Sequence, residues 1–275
     1  MAEQRRASAI QGFQIALLAF AAVLLTAPFD KYVASTWQWA RDLELDLGRP
    51  LIFVVAGALL VLVGPLRRHC AALLRPRIAP GTRRQVLIAL VILLVADLGV
   101  FGAFALWNWS RGGEPALARA MGEQVTHAAQ MESALSTQGI VMFVFIGACL
   151  GPIVEELVFR GMLFATWQRA WGWIASSFAT AVVFGLFHGA FWPQFLGSLV
   201  FVCLLRKTGA LRSSIYMHGA SNLLLWYPIV GQFMLPAGRS TGELHLWTPH
   251  LVCLALTAIL LPWYMWSARD ARLPR

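Results

Sequence analysis

The chain has 275 residues, of which 59% are hydrophobic and 13% charged, with a formal net charge of +9. With glycine counted as apolar and tyrosine left out, roughly two-thirds of it is apolar, against about 45–50% in soluble domains, and the charged share is about half the usual one. These proportions exclude disorder, a coiled coil, a secreted disulfide scaffold and a soluble fold of this size, and they leave an all-α polytopic membrane helix bundle.

A transmembrane helix needs about 20 apolar residues. Apolar runs fall near 9–28, 50–66, 86–107, 138–159, 173–190, 194–205, 211–231 and 249–267, which predicts about eight crossings. The first run follows Arg5 and Arg6 but is long for a signal peptide and lacks a convincing small-x-small cleavage site, so it reads as a retained span. The 29–49 loop carries Asp30, Asp42, Glu44 and Asp46 and is expected outside. The 67–85 loop carries Arg67, Arg68, Arg75, Arg77, Arg83 and Arg84 and is expected in the cytoplasm, as are the turn at 206–212 and the C-terminus. The 108–137 segment, of mixed charge, is expected as an outer loop. Gly151-Pro152 is expected to kink the fourth span or start a new helix. The 160–171 segment is either an extension of that span or a short interfacial helix.

The basic clusters between apolar runs therefore record topology and not nucleic-acid binding. Apart from Lys31 and Lys207, every basic side chain is Arg. That bias points to a high-GC bacterium and so to its inner membrane. Trp107, Trp109, Trp171, Trp173, Trp247, Trp263 and Trp266 are expected at span ends, as in an aromatic belt. Cys70, Cys149, Cys203 and Cys253 show no metal-like or paired spacing.

Ionisable groups inside spans are costly, so each is a functional candidate. They are Asp97, Glu155, Glu156, His188 and His218, with Arg160 just past the fourth run and Asn222 as a buried amide. Glu156 and Arg160 are four apart on a helix, with the acid first, so they can neutralise each other. Glu155 is rotated about 100° away and has no obvious partner, which suits a general base. Phe184 and His188 share a face, as do His218 and Asn222. Gly219 and Ala220 allow a neighbouring helix or a substrate to come close. Glu155, His188, His218 and Asn222 together supply a base, a partner to hold water and two oxyanion donors, a set able to hydrolyse an amide. Asp97 is expected either to pair with Arg160 or to solvate a helix contact. His69, His127, His245 and His250 suggest no role.

Glu155-Glu156-x-x-x-Arg160, Phe184-x-x-x-His188 and His218-x-x-x-Asn222 resemble, in order and spacing, the three motifs of the CPBP family, the CAAX proteases and bacteriocin-processing enzymes. Phe159-Arg160-Gly161 is also in that family's style. The resemblance covers about 150–225. It implies an intramembrane glutamic endopeptidase acting on a membrane-associated protein or peptide. Glu155 would activate water, His188 would help to hold and polarise it, and His218 and Asn222 would stabilise the oxyanion. Glu156 and Arg160, with Phe184, would support the site. No cofactor is implied. The chain is then one membrane domain over 1–275, with N-terminal spans at 1–137, a catalytic core at 138–231, and an outer loop and last span at 232–275. The alternatives are a zinc metalloprotease holding its ion on one of the two glutamates with His188 and His218, and a transporter or scaffold, against which stands the lack of two related halves.

Overall fold

A computed structural model describes residues 81–133, 143–188, 190–224 and 242–271, with isolated positions at 68, 71, 74 and 141. The first two expected spans lie outside these residues. Every element among the described residues is helical.

Helix α1 spans Thr82–Ser133, interrupted at Gly112 and Gly113. Gly113 has φ 64°, a conformation that only glycine adopts freely, and the helix resumes through Pro115. The segment expected as an outer loop is thus helical over 108–133, and its last residues lie outside the described ones. Its charges and glycines mark a bend between two helices. The next helix is continuous from 143 to 171: a π-helical stretch Phe143–Leu150, α2 (Gly151–Glu156), a second π-helical stretch Leu157–Phe164, and α3 (Ala165–Trp171). Gly151-Pro152 does not break it. Pro152 stands in the first turn of α2, where its missing N–H is tolerated at the change from π to α winding. Of the two readings of 160–171, the extension is the one found.

Gly172 (φ 79°) turns the chain into α4 (Trp173–Leu186). Helix α5 (Phe191–Thr208) follows. It ends at left-handed Gly209, whose N–H bonds the Leu205 carbonyl at 2.8 Å. Then come α6 (Leu211–Leu224), a short 3₁₀ turn (Leu244–Trp247) and α7 (Thr248–Ser267). Two helical segments, Thr82–Glu123 and Leu244–Ser267, are long and apolar enough to cross a membrane. Helix α4, with 14 residues, is only about 21 Å long at 1.5 Å per residue, short of a bilayer core.

Helices α1 and α7 cross at glycines. A Cβ at Gly99 would lie 2.8 Å from Thr257 Oγ1, and one at Gly102 would overlap the His250 carbonyl. Thr257 Oγ1 donates to the Val95 carbonyl across the same crossing, at 3.2 Å. Close backbone approach through small residues is how helices associate where no water is expelled. On the other side of α7, Val252, Leu256, Ile259, Trp263 and Trp266 form an exposed stripe at helical spacing, the pattern of a lipid-facing surface. Trp247 does not belong to the expected belt. It is buried against Leu117 and Met121 beyond the Gly112–Gly113 bend.

The centre of the molecule is α5, buried without interruption from Gly197 to Arg206. Leu199, Val200, Phe201, Cys203 and Leu204 pack with Ala89, Ile92 and Leu93 of α1, Met217 of α6, and Leu261 and Tyr264 of α7. At its end Arg206 donates from Nε to the Ala268 carbonyl (3.1 Å) and from Nη2 to those of Arg269 (3.1 Å) and Ala271 (2.6 Å). It thereby ties the end of α5 to the chain just past α7.

Candidate active site

The two adjacent glutamates close α2, where α winding gives way to the second π-helical stretch. Glu156 is fully buried and lies against two basic side chains at once. Its Oε1 lies 3.0 Å from Arg160 Nη1 and 3.0 Å from His218 Nδ1. The expected i,i+4 pair is therefore present, with His218 of α6 as a third member. The Arg160 contact is one of charge and not an aligned hydrogen bond, because none of Nε, Nη1 and Nη2 has a hydrogen-bond partner. Ring faces enclose the guanidinium instead. Its central carbon is 4.5 Å from the Phe184 centroid and 5.1 Å from that of Phe201, an arrangement that lets aromatic quadrupoles stand in for lost hydration.

Glu155 faces the other way, as the helical rotation predicts. Its Oε2 is 3.5 Å from His218 Nε2 and 3.9 Å from His188 Nε2. It has no hydrogen-bond partner of its own. The Glu155 and His188 side chains keep 14% and 26% of their exposure, whereas Glu156 keeps none. The opening to the site is thus on the Glu155 side.

Both imidazoles are anchored through Nδ1. His188 Nδ1–H donates to the Phe184 carbonyl at 2.6 Å. His218 Nδ1–H donates to Glu156 at 3.0 Å. A carbonyl and a carboxylate can only accept, so the proton is assigned to Nδ1 in each ring, and each Nε2 is left facing Glu155. Phe184 also packs on the His188 ring, with centroids 4.4 Å apart. Phe159 braces Phe184 edge-on at 5.0 Å.

Asn222 lies one turn beyond His218 on α6. Its Nδ2 donates to the Gly147 carbonyl in the first π-helical stretch, at 2.6 Å. Next to that bond, a Cβ at Gly219 would overlap the Ala148 carbonyl oxygen. The close approach expected of Gly219 is therefore to the 143–150 helix, and Ala220 is exposed. The structure gathers Glu155, Glu156, Arg160, Phe184, His188 and His218 into one set of contacts. It places Asn222 beside them with one amide N–H already engaged.

Asp97 is buried on α1 and forms no ion pair among the described residues, so the pairing with Arg160 is not found. Among the described residues, no group of three or more His, Cys, Asp and Glu converges as a metal cage would. Phe201 was not legible beforehand, because a phenylalanine inside an apolar run carries no local signal.

Residues 137–224 match the family model described as type II CAAX prenyl endopeptidase, Rce1-like. All three motifs fall inside that segment, which is similar to the CAAX endopeptidase family that they suggested. The class of protein that this segment is similar to is thus that of CAAX-type endopeptidases. No curated protein and no solved structure matches the chain.

Proposed function

We propose that this chain is an intramembrane glutamic endopeptidase that hydrolyses a peptide bond of a membrane-associated protein or peptide, with Glu155 as the base that activates water. The observation that carries this reading is the convergence of His188 Nε2 and His218 Nε2 on Glu155 Oε2, at 3.9 and 3.5 Å. A water held there donates one proton toward Glu155 as its oxygen attacks the carbonyl carbon. His188 orients that water through Nε2, with its ring fixed by the Phe184 carbonyl. Asn222 directs its second amide N–H to the developing oxyanion. His218 shares that task when both its nitrogens are protonated, with Glu156 as the counter-charge at Nδ1. The proton taken by Glu155 then goes to the leaving amine.

We place the enzyme in a bacterial inner membrane, with both termini cytoplasmic. The basic loops and the arginine bias support that placement. The proposal keeps the domain division drawn from the sequence, with the catalytic core over 138–231.

One observation also favours the zinc reading. Anchoring each imidazole at Nδ1 is how metal-bound histidines are held, and Glu155, His188 and His218 are a donor set that zinc accepts. A zinc ion there would supply a Lewis acid to polarise water. The two readings separate on the metal content of the purified chain and on chelation. Stoichiometric zinc, with activity lost to a chelator and regained with zinc, selects the metal.

The glutamic reading is tested by proteomics of C-terminal peptides in cells carrying either wild type or Glu155→Gln. Loss of the base lowers turnover by about 10²–10⁴-fold, so new C-termini made by the wild type disappear in the variant. Identical peptide sets from correctly inserted proteins would overturn the proposal.

A further inference from the structure

Phe201 belongs to none of the three motifs, yet it touches two of them. Its ring stacks on the His218 imidazole, with centroids 4.6 Å apart and planes 23° from parallel. The Arg160 guanidinium lies over the same ring at 5.1 Å. Its own carbonyl accepts the Ser214 hydroxyl at 3.0 Å, which ties this point of α5 to α6 one turn before His218. The side chain is buried in the central core, so its place is set by packing on every side.

We propose that Phe201 is a positioning residue of the site: its ring holds the plane of His218 and, with Phe184, encloses Arg160 so that Glu156 stays aligned to accept the His218 proton. The effect on cleavage rests on the glutamic reading above, whereas the effect on His218 does not. An imidazole held by one Nδ1–H bond can still swing about that bond, and the swing carries Nε2 away from Glu155. A flat ring stacked on its face blocks that motion. Arg160 has the same need, because among the described residues its three nitrogens lack hydrogen bonds, and Glu156 and two ring faces hold it. Were Arg160 to shift, Glu156 Oε1 would follow it and leave His218 Nδ1. A leucine at 201 fills most of the volume but offers neither a flat face nor a ring quadrupole to the cation.

The test uses the full chain in lipid nanodiscs, with Phe201→Leu and Phe201→Tyr beside the wild type. Phe201→Met replaces the leucine variant if that one does not accumulate. Two readouts are taken: kcat and KM on a peptide identified from the C-terminal proteomics, and the nitrogen spectrum of labelled histidine, with His218 assigned by a His218→Gln control. In the wild type and Phe201→Tyr, His218 shows one form, protonated at Nδ1. In Phe201→Leu that signal splits or broadens, kcat falls about 10–100-fold and KM stays within about two-fold, as for a misplaced catalytic group. Phe201→Tyr keeps kcat within about three-fold of wild type. The proposal is overturned if the His218 signal in folded Phe201→Leu is unchanged, whatever its activity. It is also overturned if kcat holds, or if tyrosine is as damaging as leucine. A wild-type chain that cleaves nothing would count against the protease reading alone, and the His218 signal would still decide the role of Phe201.

Discussion

Two regions of this molecule solve opposite problems with opposite means. The α1–α7 pair is long and apolar, and it is joined where Gly99 and Gly102 let backbones touch. Its outer face is a stripe of apolar side chains. The segment from 143 to 224 uses shorter helices and two π-helical stretches, and it buries Glu156, Arg160 and His218 among aromatic rings, with Glu155 half-buried beside them. In the first region, contact between helices is the aim and charge would only add cost. In the second, charge is kept, and the packing serves to hold it still. A membrane protein can thus separate the surface that fits it to lipid from the place where it does chemistry.

The largest effect is expected at Glu156. Its Oε1 is shared by Arg160 and His218, each at 3.0 Å. Glu156→Gln leaves a guanidinium buried without its counter-charge, a change worth about 3–5 kcal/mol. The protein should accumulate poorly, unfold at lower temperature and lose activity. Normal levels with a normal melting profile would show that the ring faces alone suffice for Arg160.

Next comes Asn222→Ala. It removes the proposed oxyanion donor and the bond to Gly147 together. A fall in kcat of about 10²–10³, with KM held, is expected from the first role. Asn222→Ser, which can still donate from a shorter arm, separates the two roles. A loss of stability without a loss in kcat per folded molecule would make the residue a tether between α6 and the 143–150 helix and nothing more.

Much of this division could be read in the amino-acid order. The turn at 206–212 was marked by its basic residues between two apolar runs, and the span now formed by α7 by its unbroken apolar run. Glu156 and Arg160 met because i and i+4 share a face in α and π winding alike. The opposed directions of the two glutamates followed from the same rotation. Other features had no local signal. Pro115 and the paired glycines looked like loop residues, because a tight bend between helices uses the same residue types. Pro152 looked like a break, because π winding, which accommodates it, is a tertiary outcome. The two Nδ1 anchors depend on where the Phe184 carbonyl and Glu156 end up in space. Trp247 looked interfacial and proved to be core, because the partners that bury it, Leu117 and Met121, sit beyond the bend.

The lipid-fitting region can be strained without touching the chemistry. Gly102→Ala drives a methyl group into the His250 carbonyl at the α1–α7 crossing. Overpacking of this kind costs about 1–3 kcal/mol. Thermal stability in nanodiscs should drop, and kcat per folded molecule should stay near wild type. A matching drop in kcat would mean that the crossing angle of α1 and α7 is transmitted through α5 to the site, and the two regions would then act as one.

The smallest effect is expected at Asp97, the one acidic side chain buried in the first region among the described residues. It forms no ion pair among the described residues, and the arginine once expected to meet it is engaged by Glu156, Phe184 and Phe201. A buried carboxyl without a cation contributes little to stability, and replacing it by a neutral amide of the same shape spares the cost of its charge. Asp97→Asn should therefore leave activity unchanged and alter stability by less than about 1 kcal/mol, in either direction. The informative measurement is kcat, because stability alone cannot distinguish a spectator from a participant. Loss of turnover in a well-folded Asp97→Asn chain would move a catalytic or proton-carrying role into α1, and the region that now looks like a lipid-fitting frame would have to be counted as part of the site.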